Sequence, residues 1–326
     1  MKSRYRLRAL ITAFVLTTAA FAGAPATSQK PEVLLASGKV DDAVASLRDR
    51  VSKAEGDAEA HHLLSRAYLA LGELDDAIRS GEKATSLAPN NAKYHLWLGR
   101  AYGQKAEKAN FLTATGYAKK LKTEFERAVA LQPDDIDARS DLFEFYLEAP
   151  GIVGGGKDKA KAMAEEIAKR DAAQAHWSNA RIAEKDKDFA RAEEEYKAAI
   201  TKGGGRADRW LNLASFYRRQ GRFAEMENAI NKAVAAQRKP TNVLVDAATL
   251  LYRAGRSLPQ AATLVGKYIA GKDKDPDAPA FQAHYLLGQI LEKQGDKAGA
   301  AREYQASLAL ASNYSPAREA LKRVQK

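Results

Sequence analysis

Residues 58–89 read AEAHHLLSRAYLALGELDDAIRSGEKATSLAP, and the spacing inside this stretch sets the architecture. His61, Leu64, Ser65 and Tyr68 recur at intervals of three and four, which marks one face of a helix. Gly72 follows, where a left-handed helix end costs glycine nothing. Ala77 and Ala84 then carry a second helix, which Pro89 breaks. The stretch therefore predicts two antiparallel helices joined at Gly72. The phrase also returns: Ala77 follows Ala43 at 34 residues, and Met226 follows Ala192 at the same interval. A fixed period of this length marks a solenoid, in which each unit buries its apolar face against its neighbours. No strand-like alternation competes, so the predicted class is all-α.

The unit resembles the tetratricopeptide repeat, a helix–turn–helix written W-x2-L-G-x2-Y, then Ala, an aromatic, Ala and Pro. With Ala58 as position 1, Leu64 falls at 7, Ser65 at 8, Tyr68 at 11, Ala77 at 20, Ala84 at 27 and Pro89 at 32. A copy from Ala92 gives Leu98, Gly99 and Tyr102, then resumes ten residues late with Phe125, Ala128 and Pro133. Later copies give Leu142 and Tyr146; Ala192, Tyr196 and Ala199; Trp210, Leu213, Ala214, Tyr217, Gly221 and Ala233; and Leu287, Gly288, Gly295, Ala300 and Tyr304. Small residues at positions 8, 20 and 27 let the paired helices approach closely. The resemblance implies a right-handed α-α superhelical solenoid of about seven to eight hairpins over residues 23–314. A capping helix over residues 315–326 would cover the last exposed face, with Ala317, Ala320 and Leu321 inward. It also implies a non-catalytic scaffold that binds a peptide or protein in its concave groove.

The beginning of the chain is of another kind. Lys2, Arg4, Arg6 and Arg8 precede an apolar run over residues 9–21 that ends in Ala20-Phe21-Ala22. A basic start, a short apolar stretch and an A-x-A end make a secretory signal peptide over residues 1–22. The run is short of the roughly 20 residues that a spanning helix needs, so no stable membrane span is expected after cleavage. There are no cysteines, hence no lipidation thiol and no disulfides. Together these readings suggest a periplasmic or secreted protein, in an envelope assembly or secretion system.

The four basic residues of that leader belong to the 52 of the chain, so the remainder, against 41 acidic residues, carries a net +7. Both signs alternate along the helices, as on a solvated surface. Nucleic acid is not an expected partner in that compartment. An anionic envelope glycan or lipid is the alternative to a protein partner, because net positive charge aids its approach.

The motifs that imitate chemistry dissolve in the repeat register. His61, His95, His176 and His284 all fall at position 4, one per unit, which suits packing rather than a shared metal. His62, one residue on, is expected to face the groove. Residues 151–157 read GIVGGGK, the spacing of a phosphate-binding loop, but Asp158 stands where Ser or Thr would hold Mg²⁺. A repeat helix, not a strand, precedes it. An enlarged turn with Asp158 near the next helix start is the simpler reading. No catalytic constellation or cofactor motif is found.

Family resemblance puts positions 2, 5, 6, 9, 12 and 13 of the first helix on the groove. These positions nominate Arg66, Trp97, Arg100, Trp177, Arg181, Asn212, Arg218, Arg219, Tyr252 and Arg253 for partner binding. Arg and aromatic side chains dominate interface hot spots, although groove Arg also simply solubilises a helix. The Lys and Asn clamp of chaperone-binding members is not reproduced by Leu96, Arg100 and Asn212. Two insertions, residues 103–120 with Phe111 and Tyr117, and residues 149–157, lie between the helices of their units. Both are expected on one edge of the solenoid, where they either bind or only lengthen a hairpin.

Overall fold

The computed structural model describes residues 29–237, 242–272 and 274–326; the leader assigned to residues 1–22 lies outside them. Among the described residues there are seventeen α-helices and no strand. Sixteen pair into eight hairpins: α1 (Pro31–Ala36) with α2 (Val40–Lys53), α3 (Ala58–Leu71) with α4 (Leu74–Leu87), and α5 (Ala92–Lys108) with α6 (Phe111–Leu131). Next come α7 (Ile136–Glu148) with α8 (Lys157–Ala168), α9 (Ala172–Lys185) with α10 (Phe189–Lys202), and α11 (Ala207–Arg219) with α12 (Phe223–Ala236). The last are α13 (Val243–Ala254) with α14 (Leu258–Ala270) and α15 (Ala280–Lys293) with α16 (Lys297–Leu310), followed by α17 (Ser315–Val324). This is the superhelical solenoid expected from the 34-residue period.

Small residues set the spacing within each hairpin. A methyl group on Gly99 would overlap the Phe125 ring, and one on Gly288 would overlap Tyr304, so the partner helix lies against bare backbone at both. Ser65 does the same work differently, donating from Oγ to the Ala77 carbonyl at 2.7 Å. First helices end as the sequence predicts, with Gly72 at φ 78° and Gly255 at φ 65° in the left-handed region that favours glycine. Three of the four histidines at position 4 tie their hairpins shut, whereas His61 reaches back to the Glu55 carbonyl at 3.1 Å. His95 meets Glu124 at 2.6 Å, His176 meets Glu195 at 2.7 Å and His284 meets Glu303 at 2.7 Å. The partners are 19 residues apart in two of these, and 29 in the hairpin with the ten-residue insertion.

The longer insertion becomes helix. α5 has 17 residues and α6 has 21, against 14 in each of α3 and α4. Tyr117 stacks on Tyr102 with centroids 6.1 Å apart, whereas Phe111 at the tip is 75 % exposed. The shorter insertion is a 3₁₀ turn over Gly151–Val153 that buries Val153 beneath α7 and α6 and leaves Ile152 exposed. Asp158 sits in the first turn of α8, and Lys157 pairs with Asp186, so the phosphate-loop look-alike is a helix connector.

Ala317, Ala320 and Val324 of α17 are buried on the last hairpin, as a cap requires. A second cover was not legible in the register: the two ends of the solenoid meet. Gln282 Nε2 donates to the Ala70 carbonyl at 2.8 Å, and the Ser312 amide donates to Asp41 Oδ2 at 2.8 Å. Gly38 lies so close to Ala280 that an added Cβ would come within 2.6 Å of its nitrogen. Phe281 and Ala311 are fully buried in one cluster with Val40, Leu69 and Leu74. The superhelix thus closes into a ring.

Candidate functional site

Successive first helices touch one another, α3 on α5, α7 on α9, α11 on α13 and α13 on α15, whereas α4 and α6, or α10 and α12, make no comparable contact. The side on which successive helices lie closer is the inner side of a curved stack. Positions 5, 6, 9, 12 and 13 of these helices therefore line the inner wall, and the nominated residues fall into three stations along it.

The first station is built on Trp97. The Arg66 and Arg100 guanidiniums lie 4.2 and 4.9 Å from its ring centroid, within cation–π range. Arg100 is anchored by Asp141, Nε to Oδ2 at 2.7 Å. Burial raises the Asp141 pKa, with Arg100 opposing the shift. Arg66 has only Asp277, at 3.7 Å, and its Nε is buried without a partner among the described residues. Burial lowers the Arg66 pKa and the field of Arg100 adds to this, with Asp277 opposing. His62 corrects an expectation. It does not face an open groove: it is 3 % exposed, stacked on Tyr94 at 4.6 Å and edge-on to Trp97. The neighbouring first helix covers it, and burial followed by the Lys93 and Arg66 charges depresses its pKa to about 3.

The second station is an ion ladder around Arg181. Its Nε and Nη2 reach both oxygens of Glu144 at 2.8 and 2.9 Å, and Glu148 and Glu184 approach at 3.1 and 3.3 Å. Arg219 joins from the next repeat, donating to Glu184 at 2.9 and 2.7 Å. Burial works against the Arg181 charge, but the Glu144 hydrogen bonds outweigh it and the pKa is raised. Trp177 on the same helix is half-buried against Phe143. These residues staple repeats together, a role that register alone did not distinguish from partner binding.

The third station lies on α11, α13 and α15. Lys293 Nζ lies 5.1 Å from the Tyr252 ring centroid and 3.3 Å from the Tyr252 carbonyl, and Arg218 feels the charge of Arg253 on the neighbouring helix. Arg253 is exposed and Asn212 half-exposed. None of the three cations forms an ion pair with a carboxylate among the described residues, and the Arg218 Nε is buried unpaired. Burial, then Arg219 and Arg253, lower the Arg218 pKa. Phe111 and Tyr117 of the extended hairpin belong to none of the stations. Among the described residues, no three His, Asp or Glu side chains converge as a metal site.

Sequence reasoning missed the residues that the ring closure brings to the first station: Asp277, Gln282 and Tyr314 stand opposite Arg66 across the seam. No local signal marks them, since they meet Arg66 only after the whole superhelix has turned.

No curated protein matches the chain. Among solved structures, yeast Tom70 superposes with a TM-score of 0.52 at 16 % identity, over 94 % of this chain and 65 % of that one. A TPR protein from Thermus thermophilus aligns with a TM-score of 0.46 at 20 % identity, over 57 % of this chain and 94 % of that one. The first shows the shared fold. Tetratricopeptide repeat profiles match residues 34–96, 154–207, 207–240 and 245–316, well over half of the chain. With its eight hairpins in one register, the chain belongs to the tetratricopeptide repeat family.

Proposed function

We propose that this protein is a non-catalytic, exported scaffold whose inner wall binds an acidic protein segment, in the cell envelope or its secretion machinery. The observation that carries the reading is the third station. Arg218 and Arg253, near enough to repel, and Lys293 over Tyr252 have no carboxylate in ion-pair range among the described residues, a charge excess that a stable fold gains nothing by keeping. Arg and Tyr are the side chains that most often anchor an interface, and Arg receives carboxylates with two parallel hydrogen bonds. The basic leader and A-x-A site of residues 1–22 support export, and among the described residues no helix is long and apolar enough to cross a membrane.

A photo-crosslinker placed at Tyr252 tests the reading in the native envelope. The expected product is a crosslink to one acidic protein, identified by mass spectrometry and lost in the Arg218→Glu, Arg253→Glu double variant. Retention on purified envelope glycan or anionic vesicles instead, abolished by high salt, would transfer the site to the alternative partner class. Sequencing the mature amino terminus checks export: a chain beginning at Gly23 is expected.

A further inference from the structure

The seam between the two ends of the solenoid forms an open-mouthed cavity of about 400 Å³. This lies within the size range of small-molecule sites. Its walls come from opposite ends of the chain: Arg66, Trp97 and Lys108 on one side, Asp277, Phe281 and Tyr314 on the other.

Charge, geometry and apolar lining agree on what would fill it. Two cations, Arg66 and Lys108, face a single carboxylate. That carboxylate, Asp277, is 63 % exposed and stands 3.7 Å from Arg66, too far for a good charge-assisted hydrogen bond. Arg66 Nε has no acceptor among the described residues, and His62 Nε2 beside Trp97 has no hydrogen-bond partner there. A guanidinium held out of water without acceptors is costly, and the cost falls when a guest supplies them. The Trp97 ring holds the guanidinium 4.2 Å from its centroid, which keeps its planar fork in one orientation. Beyond the fork, Leu35, Leu69 and Ala70 offer apolar surface, and the Tyr314 phenol completes the rim.

We propose that the seam cavity binds a carboxylate joined to an apolar group, with the carboxylate on Arg66 and the apolar group against Leu35, Leu69 and Ala70. Because both ends of the solenoid contribute walls, the bound molecule also fastens the ring. The inference rests on the reading of this protein as a binding scaffold, but it uses a station separate from the Arg218–Arg253 patch. Either can therefore fail alone.

Calorimetric titration of the full chain provides the test, with three probes: N-acetyl-leucyl-phenylalanine, its C-terminal amide, and octanoate. The free acid is expected to bind at least about tenfold more tightly than the amide, the factor that one charge-assisted pair supplies. Arg66→Met, which keeps the length of the side chain against Trp97, should remove that preference, and circular dichroism would verify that it folds. Asp277→Asn should tighten the acid, because a competing carboxylate is gone. Tighter binding of octanoate than of the dipeptide assigns the site to free carboxylic acids, and the reverse order to peptide C-termini. Hydrogen exchange should slow at residues 31–47 and 311–324 when the acid is bound. Equal binding of acid and amide, no binding of either acid at millimolar concentration, or an unchanged acid preference in Arg66→Met would each overturn the proposal.

Discussion

Arg66 and Arg181 occupy the same position of their repeats, on the same wall, and each side chain is 19 % exposed. One is saturated and the other is not. Arg181 meets three carboxylates because position 9 of the preceding repeat is Glu144, and Glu148 and Glu184 stand one turn away. Arg66 looks along the wall to Arg100, a like charge, and the two share the Trp97 ring. In a repeat array, then, the role of a residue is set by its counterpart one unit along. An acid there makes a staple; a second cation leaves a guanidinium still able to receive an acceptor.

Arg181→Met puts this contrast under the greatest strain. Removing the cation strips Glu144 of its partner and leaves Glu184 to Arg219 and Glu148 to Lys185 alone, so unfolding free energy should fall by about 3 kcal/mol. Urea denaturation measures it, and a loss below about 1 kcal/mol would mean that Arg181 is no staple. The same change at Arg66 is expected to alter stability by less than about 1 kcal/mol, because the lost ring contact offsets the relief of an unpaired charge.

Acid should separate the stations next. The folded-state pKa of His62, about 3, lies below the ordinary value of 6.5. The unfolded chain therefore binds a proton first as pH falls below 6.5, and stability is lost progressively down to about pH 3. His62→Phe, which retains the stack on Tyr94, should lessen the drop in melting temperature between about pH 7 and pH 4.5. An undiminished drop would locate the acid sensitivity elsewhere. The smallest effect concerns the acids gathered between α13 and the connection from α14 to α15. Asp246 is ringed by protein near Asp275 and Asp277; burial and those two charges raise its pKa to about 6 from 3.8. Its contribution is favourable below about pH 4 and is lost as pH rises through 6. Water still reaches the side chain, so Asp246→Asn should raise the melting temperature at about pH 7.5 by only about 1 °C, and less at about pH 5. A larger gain in the more acidic buffer would reverse the sign of this argument.

The hairpins, their caps and the close approach at Gly99 were legible because each depends on residues within one period. So was the quiet role of the position-4 histidines, although the recurring Glu partners were not singled out. Two residues set the limit. His62 is one place from His61 and reads as outward-facing, yet the adjacent first helix covers it; burial of that kind belongs to the stack, not the unit. Arg181 reads like Arg66, since the carboxylates that distinguish them come largely from the neighbouring repeat. The seam was beyond reach for a stronger reason. Gln282 meets Ala70 only because small rotations between eight hairpins add up to closure, and no residue encodes that sum.

Closure changes how the molecule must fold. An open repeat array is a one-dimensional lattice whose stability is the sum of units and nearest-neighbour couplings, and it can fray from either end. Joining the ends imposes a periodic boundary: the first unit becomes a neighbour of the last, through pairs 212 and 271 residues apart. Such contacts raise the loop-closure entropy of the final step and slow it relative to the local pairing that precedes it. The terminal hairpins, ordinarily the weakest cooperative units of an array, then share one fate, and loss of either unfastens both.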